Sequence, residues 1–271
     1  MTLPEGFVDL HVHVVPGIDA GPATVADAVE LVRAAAEAGT GVLVATSHSE
    51  EVLEGHYSLE RLKGRLEPVQ AALAHDAGIP MLLLGCEVFL ELQSPQLIAD
   101  GVLPTLNASR YVLVEPPLDQ LPLYFDETLF QLHIRGFVPV LAHPERNARI
   151  QQRPEQLGDW CQRGYLVQVT ASSFHGEFGS LAKTVAHTAV SQGWCHVVAS
   201  DGHGAAHRSP QLRGAYNTIV QEFGAQAAHM LFIDNPRAII EDREVHTLPA
   251  KVVSKKIETG GWMRFLRGRG R

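Results

Sequence analysis

The stretch that decides the fold is VDLHVHV, residues 8–14, in which valine and leucine alternate with Asp9, His11 and His13. A short run of β-branched and aliphatic residues predicts a buried β-strand. Successive side chains of a strand point to opposite faces, so His11 and His13 face the same way. Two imidazoles at this spacing are well placed to bind one metal ion.

Short aliphatic runs of this kind recur along the chain, and each is followed by a turn and an amphipathic stretch. Runs separated by helical patterns predict parallel strands joined by crossover helices. The predicted strands are residues 8–14, 41–48, 81–88, 111–115, 138–143, 166–170 and 196–200. Although 271 residues are compatible with two domains, no linker rich in Pro, Gly or Ser divides them. We predict one α/β barrel-like domain over residues 1–250, followed by a tail at 251–271.

Several helix boundaries are marked by residue type. Thr24 is a candidate N-cap with Asp27 three residues later, and Gly39 supplies a stop for the first helix. Ser58 opens a second helical stretch, residues 58–77, in which Pro68 predicts a kink. Further helical patterns cover residues 123–135, 154–162, 181–191, 210–223 and 225–232.

Ionisable residues cluster where the predicted strands end. They are His11, His13, His48, Glu87, Glu115, His143, Asp201 and His203. Active sites of α/β barrels are built at this carboxyl-terminal face. A single histidine in such a place is usually an ordinary core residue, but a whole cluster is costly to bury without cations. The pattern therefore predicts a centre that holds several metal ions.

Of the 14 histidines, nine lie outside this cluster, and we interpret most of these, which lie on helices, in loops or at a strand start, as surface or packing residues. His207 is the exception, because it lies in the loop GHGAAHR after the last strand, beside Arg208. It is a candidate proton donor or substrate contact.

The composition excludes several classes of protein. Hydrophobic residues make up 45% of the chain and charged residues 19%, which fits a globular protein and not a disordered one. No apolar run has the roughly 18 residues of a membrane span, and the N-terminal residues lack a secretory pattern, so we expect a cytoplasmic protein. Three cysteines argue against a disulfide scaffold.

Charge is distributed unevenly around the formal net value of −8. The tail carries seven basic residues and one acid, so residues 1–250 are strongly acidic. An acidic body argues against nucleic acid as a partner. The tail also contains Trp262, Met263, Phe265 and Leu266. This composition is typical of a solvated tail. Alternatively, the tail contacts an anionic membrane face or an acidic partner.

Six motifs occur in order along the chain: DLHVHVVPGID, ATSH, GCEV, VEPP, LAHPER and ASDGH. With these six motifs in this order, the sequence resembles the polymerase-and-histidinol-phosphatase (PHP) superfamily. Its opening, HVHVVPGIDAGPATVADAVELVRAAAEAGTGVLVATSH, resembles the bacterial metal-dependent protein-tyrosine phosphatases of capsule and exopolysaccharide operons. The resemblance implies a distorted (β/α)7 TIM-like barrel of the PHP type. It also implies two or three metal ions, with manganese expected and iron or zinc as alternatives.

The resemblance also implies roles for individual residues. The first ion would be bound by His11, His13, Glu87 and Asp201, the second by Glu87, Glu115 and His143, and the third by His48 and His203. The acid that the third ion has in related proteins matches Ala20, so either Asp19 substitutes for it or the third ion is weak or absent. Arg146 and Arg208 match phosphate-binding arginines, and His207 is a candidate general acid.

Such a site suits hydrolysis of phosphate monoesters by a metal-bound hydroxide. By resemblance, the substrate would be phosphotyrosine on an autophosphorylating, membrane-associated tyrosine kinase of polysaccharide export. Cysteine-based hydrolysis is excluded, because no arginine follows a cysteine by six residues.

Three alternatives stay open. A histidinol-phosphate phosphatase or other small-molecule phosphoesterase would use the same cluster. A phosphodiesterase acting on nucleic acid is disfavoured by the acidic body. A catalytically impaired regulatory module would explain Ala20.

Overall fold

The computed structural model describes residues 3–49 and 58–250, so the predicted tail lies outside the described residues. Within them the strands are parallel and form two sheets. The first contains β1 (Phe7–Val12), β2 (Thr40–Ala45) and β3 (Met81–Leu84) in that order. The second contains β4 (Glu87–Phe89), β5 (Tyr111–Glu115), β6 (Val138–Leu141), β7 (Leu166–Thr170) and β8 (Val197–Ala199). The predicted α/β architecture with parallel strands is confirmed.

One predicted strand is wrong, because residues 81–88 form two strands that belong to different sheets. The break falls at Gly85 and Cys86. A Cβ at Gly85 would lie 3.0 Å from Leu106 Cδ2 and 3.1 Å from Val44 Cγ1, so the close packing here requires glycine. The Gly85 amide donates to Ala45 O over 2.9 Å before the chain turns towards β5.

Single bridges link the two sheets at both junctions. Val12 pairs with Gly202 beyond β8, where the His13 amide donates to Gly202 O over 2.8 Å. At the other junction His48 pairs with Glu87 at the start of β4. The strand ladders of residues 3–49 and 58–250 thus form two sheets joined by bridges, and not one continuous closed barrel.

The first helix begins and ends as predicted. In α1 (Val25–Glu37) the Thr24 side chain accepts from the Asp27 amide while the Asp27 carboxylate accepts from the Thr24 amide. Gly39 follows with φ +91°, a conformation that few residues other than glycine adopt.

The second helix, α2 (Leu59–Leu73), starts at the predicted cap Ser58 and contains Pro68. It ends four residues before the predicted 77, where the chain turns and Asp76 binds Arg33 Nε over 2.8 Å.

The remaining helices cover the strands. They are α3 (Ser94–Ala99), α4 (Phe125–Ile134), α5 (Ala148–Gln152), α6 (Glu155–Gln162), α7 (Gly179–Ser191), α8 (Arg213–Phe223), α9 (Ala225–His229) and α10 (Asn235–Ile240). Sequence patterns did not predict the short α3, α5 and α10. A π-helical turn, Met230–Asp234, connects α9 to α10. No helix within the described part of the chain has the length and apolar character to cross a membrane.

Strands of the second sheet pack apolar side chains on both faces, as parallel strands do. In β5, Val112 and Val114 belong to the larger apolar cluster, whereas Tyr111 and Leu113 belong to a smaller one. Because side chains alternate, Glu115 follows Tyr111 and Leu113 on the same side. The smaller cluster therefore forms the floor beneath the ionisable residues at the strand ends.

Candidate metal centre

Glu87 lies at the middle of the ionisable cluster. Its Oε2 is 3.1 Å from His11 Nε2 and 3.2 Å from His13 Nε2, and its Oε1 is 2.9 Å from His143 Nε2. The Glu87 side chain is 1% exposed. The bend at Gly85 and Cys86 places it here, at the first residue of β4. One buried carboxylate thus joins ligand atoms from β1 and from the end of β6.

His11 in β1 and His13 directly after it do face the same way. Their Nε2 atoms are 3.3 Å apart, and each is 3.4 Å from Asp201 Oδ1. Asp201 is brought there by the bridge beyond β8, where its amide donates to His11 O over 2.9 Å. These three residues have ligand atoms within 4.8 Å of one another, which suits a single ion.

His48, Glu115 and His143 complete the other side of the cluster. His48 Nδ1 is 3.7 Å from Glu115 Oε2, and His143 Nε2 is 3.9 Å from Glu115 Oε1. His48 Nδ1 also lies 3.2 Å from Glu87 Oε2, yet both atoms are buried without a hydrogen bond. Buried polar atoms that approach one another without a hydrogen bond fit the ligands of a common cation.

His203 packs against His13, with ring centroids 3.9 Å apart and the rings tilted by 30°. Its Nδ1 hydrogen donates to Asp201 O over 2.9 Å, and Arg208 Nη1 donates to its Nε2 over 3.0 Å. Burial, together with the charges of His13 and Arg208, lowers the pKa of His203 to about 3, so the ring is neutral. His13, His48 and His203 form a further group of ligand atoms.

The two predicted phosphate-binding arginines both reach the cluster. Arg146 Nη1 donates to Asp201 Oδ2 over 2.6 Å, and Arg208 Nη2 donates to the same oxygen. The Arg146 guanidinium also lies over the Phe178 ring, 4.2 Å from its centroid. These contacts hold two guanidinium groups beside the Asp201 carboxylate, where they can bind a dianionic group.

Two of the predicted site residues lie apart from the ligand groups of the described chain. His207 is exposed in the loop after β8. The Asp19 side chain is buried, and its Oδ2 accepts from His13 Nδ1 over 2.8 Å and from the His48 amide over 3.2 Å. Burial opposes ionisation of Asp19, yet the hydrogen bond and charge of His13 lower its pKa to about 2.

Sequence reasoning missed Gln168, which lies in the middle of β7. Its Oε1 is 3.1 Å from His11 Nδ1 and accepts from the His143 amide over 3.2 Å. Gln168 shares a strand face with Leu166, which packs in the smaller apolar cluster. The one signal in the sequence is an amide at the centre of the apolar run LVQVT.

Three site residues have left-handed backbone conformations. The φ angles are +33° at His143, +54° at Asp201 and +49° at Arg208. Residues other than glycine adopt this region at a cost, and such strain is commonly held at functional sites. At His143 and Asp201 the chain turns sharply just after its strand, which directs both side chains into the cluster.

The electrostatics favour ionised acids. Burial alone would raise the pKa of Glu87, but His11, His13 and His143 together lower it well below its usual range. Asp201 is similarly buried, and His11 and His13 lower its pKa. Nitrogen and carboxylate oxygen donors in this density fit divalent metal ions such as manganese, iron or zinc.

The thiols offer no rival chemistry. Burial raises the pKa of Cys161 to about 12 and also raises the pKa of Cys86 and of Cys195. The three side chains are therefore protonated at neutral pH, and a thiolate nucleophile is excluded for them.

Comparison with known families gives a match along most of the chain. A family model described as "Capsular polysaccharide synthesis, CpsB/CapC" matches residues 7–241.

Curated relatives extend this match. Tyrosine-protein phosphatase YwqE of Bacillus subtilis is 30% identical over 253 residues, which is 92% of this chain and 98% of the relative. The putative tyrosine-protein phosphatase CapC of Staphylococcus aureus is 32% identical over 217 residues, covering 78% of this chain and 82% of the relative.

A solved structure agrees with the sequence relatives. It comes from work on YwqE of Bacillus subtilis and CpsB of Streptococcus pneumoniae, described as unique metal-dependent tyrosine phosphatases. It superposes with a TM-score of 0.84 at 29% identity, covering 90% of this chain and 98% of the other.

Proposed function

Because the chain belongs to the CpsB/CapC family of capsular polysaccharide synthesis, we propose that it is a metal-dependent phosphatase of phosphotyrosyl proteins. The observation that carries this proposal is the buried cluster around Glu87, where four histidines lie within 3.2 Å of one carboxylate. A cluster of this kind without cations would be costly to bury.

The proposed ligands are those that the resemblance implies. One ion would be bound by His11, His13, Glu87 and Asp201 and a second by Glu87, Glu115 and His143, while His48 and His203 would be the ligands left for any third ion. In support, the ligand atoms of His11, His13 and Asp201 lie together, as do those of His11, Glu87 and His143. When bound, the ions supply positive charge that acidifies water and neutralises phosphoryl oxygens. Manganese is the proposed metal, on the resemblance and on the mixed nitrogen and oxygen donors.

The arginines bind and orient the phosphoryl group. Arg146 and Arg208 converge on Asp201, so both guanidinium groups are directed at the face of the cluster. An arginine fork binds two phosphoryl oxygens at once, and the Phe178 ring restricts the position of the Arg146 fork.

The proton requirement of the leaving group is small for a tyrosyl ester. Tyrosine has an ordinary pKa of about 10, so its oxygen leaves with less protonation than an alkyl alcohol needs. His207, which is exposed beside Arg208, is the proposed proton donor to a bound substrate.

The two sheets act as one scaffold in this proposal, a distorted (β/α)7 barrel over residues 1–250. The bridges between Val12 and Gly202 and between His48 and Glu87 support this, because they link the sheets at both junctions. Counting β3 and β4 as one unit gives seven strand units.

The proposed substrate is the phosphotyrosine of an autophosphorylating, membrane-associated tyrosine kinase of polysaccharide export, and the proposed compartment is the cytoplasm. The basic tail at 251–271 would contact the membrane or an acidic partner. Deleting residues 251–271 should leave turnover of a small phosphate ester unchanged and weaken sedimentation with anionic vesicles. Unchanged sedimentation would remove the tail from the proposal.

The experiment that tests the function compares substrates on the manganese-loaded protein. We expect a phosphotyrosyl peptide to be hydrolysed with a clearly higher kcat/KM than histidinol phosphate or single-stranded DNA. A preference for histidinol phosphate would instead favour the small-molecule phosphatase, and cleavage of DNA at a matching rate would favour a nuclease. Loss of all three activities, with metal bound, would identify a regulatory module.

A further inference from the structure

Asp19 approaches His13 from the edge of the ring that faces away from the other ligands. Its Oδ2 is 2.8 Å from His13 Nδ1, whereas Glu87 Oε2 and Asp201 Oδ1 lie 3.2 and 3.4 Å from His13 Nε2. The other Asp19 oxygen, Oδ1, accepts from the Gly21 amide over 3.0 Å. Both carboxylate oxygens thus already have partners, and Oδ2 also accepts from the His48 amide over 3.2 Å.

This contact fixes the tautomer of His13. A carboxylate that accepts from Nδ1 keeps the ring proton there and leaves the Nε2 lone pair for a cation. Gln168 does the same for His11, since its Oε1 faces His11 Nδ1 over 3.1 Å. The two histidines of one ion are therefore oriented by two different partners, one a carboxylate and one a neutral amide.

The same loop leaves the third group of ligand atoms without an acid. That group contains only the imidazoles of His13, His48 and His203. Asp19 is the sole carboxylate between β1 and α1, and the next residue is Ala20. Since His13 already faces Glu87 and Asp201, a third ion would have only two neutral ligands of its own.

We propose that Asp19 is a positioning residue for His13 and not a metal ligand, so that this chain binds two ions tightly and lacks a tight third site. The proposal rests on the metal dependence of the proposed function but not on its substrate. Counting bound metal therefore separates the two, because a protein that binds two ions without hydrolysing phosphotyrosine would contradict the function alone.

The test counts manganese per chain after dialysis of the full chain against a series of free Mn²⁺ concentrations. We expect two ions for the natural sequence. In Asp19→Ala the count at saturation should stay at two, while the midpoint rises roughly 10- to 100-fold, as for other outer partners of metal-bound histidine. If Asp19 were a ligand of a third ion, the natural chain would bind three and Asp19→Ala would lose one with the other midpoints unchanged.

Two further variants keep the test independent of loop disruption. Asp19→Asn retains an oxygen that accepts from His13 Nδ1, so its midpoint should lie between those of the natural chain and Asp19→Ala. A midpoint equal to that of Asp19→Ala would contradict the positioning role. Ala20→Asp should raise the count from two to three, and an unchanged count would show that a missing acid does not limit the third site.

Discussion

Glu87 is the residue on which the centre depends, because it contacts histidines from three different parts of the chain. Glu87→Gln should abolish both tight metal binding and phosphatase turnover, since an amide cannot replace an anionic ligand between cations. Metal content by mass spectrometry and turnover of phosphotyrosine check this on one sample. Cys161→Ser is the matched control, because its side chain can still donate to Trp194 O and should change neither property. Full activity in Glu87→Gln would refute the centre.

Gln168 is expected to act through His11. Gln168→Leu removes the acceptor at His11 Nδ1, so the affinity for metal should fall by roughly 10- to 100-fold. Gln168→Glu keeps an oxygen in that place and should retain more of the affinity than the leucine variant. A titration of Mn²⁺ binding measures both, and equal losses in the two variants would argue against hydrogen-bond control of the ring.

For individual residues, the sequence was a good guide to which side chains lie in the cluster. It was a poorer guide to the atoms that each side chain contacts. His11, His143 and Asp201 were identifiable because strands end there and parallel strands end at one face. Gln168 was not predicted, because its hydrogen-bond partner His11 is 157 residues away in the sequence. The contact of Asp19 with the far edge of His13 likewise depends on a loop conformation that residue types alone do not specify.

Among the elements, α1 has the most complete local signal, since both halves of its capping box form. Thr24→Ala removes the side-chain acceptor for the Asp27 amide and should lower the free energy of unfolding by about 1 kcal/mol. Thr24→Ser retains the hydroxyl and should be close to neutral. Urea unfolding measures both, and a Thr24→Ala protein as stable as the natural one would show that α1 is held by packing alone.

Element boundaries were predictable where a local cap or glycine determines them, as at Thr24 and Gly39. They were not predictable where distant packing decides. The break between β3 and β4 occurs at Gly85, where Leu106 and Val44 leave no room for a side chain. The sequence of residues 81–88 gives no indication that Leu106 and Val44 pack there, so the run was predicted as one strand.

For the whole molecule, the buried ring of His196 links stability to pH. Burial lowers its pKa to about 4, and its Nδ1 accepts from the Val167 amide over 3.2 Å, which requires the neutral form. The unfolded chain takes up a proton near the ordinary pKa of about 6.5, so stability is full above that pH and falls as the pH drops towards 4. Lowering the pH from 7 to 5 should therefore reduce the free energy of unfolding by about 2 kcal/mol through this residue.

His196→Asn tests that pH dependence, because the amide oxygen can still accept from Val167 while the titrating group is gone. Urea unfolding of both proteins at pH 7 and pH 5 should show a smaller loss of stability in the variant. An identical loss in the two proteins would mean that His196 does not titrate in this range.

On the same scale, the convergence of ligands from residue 11 to residue 203 was predictable, because alternating strands and helices bring all strand ends to one face. The division into two sheets was not. It depends on single bridges at Gly202 and Glu87, and such pairing is set by the whole packed structure and not by the pattern of any one strand.

The central claim is that hydrolysis depends on metal bound at the Glu87 cluster. The most direct measurement is the metal content of the purified protein together with its turnover of phosphotyrosine, before and after removal of metal by a chelator and readdition of Mn²⁺. We expect activity to disappear with the metal and to return as two ions per chain rebind. Turnover that persists in metal-free protein would contradict the account.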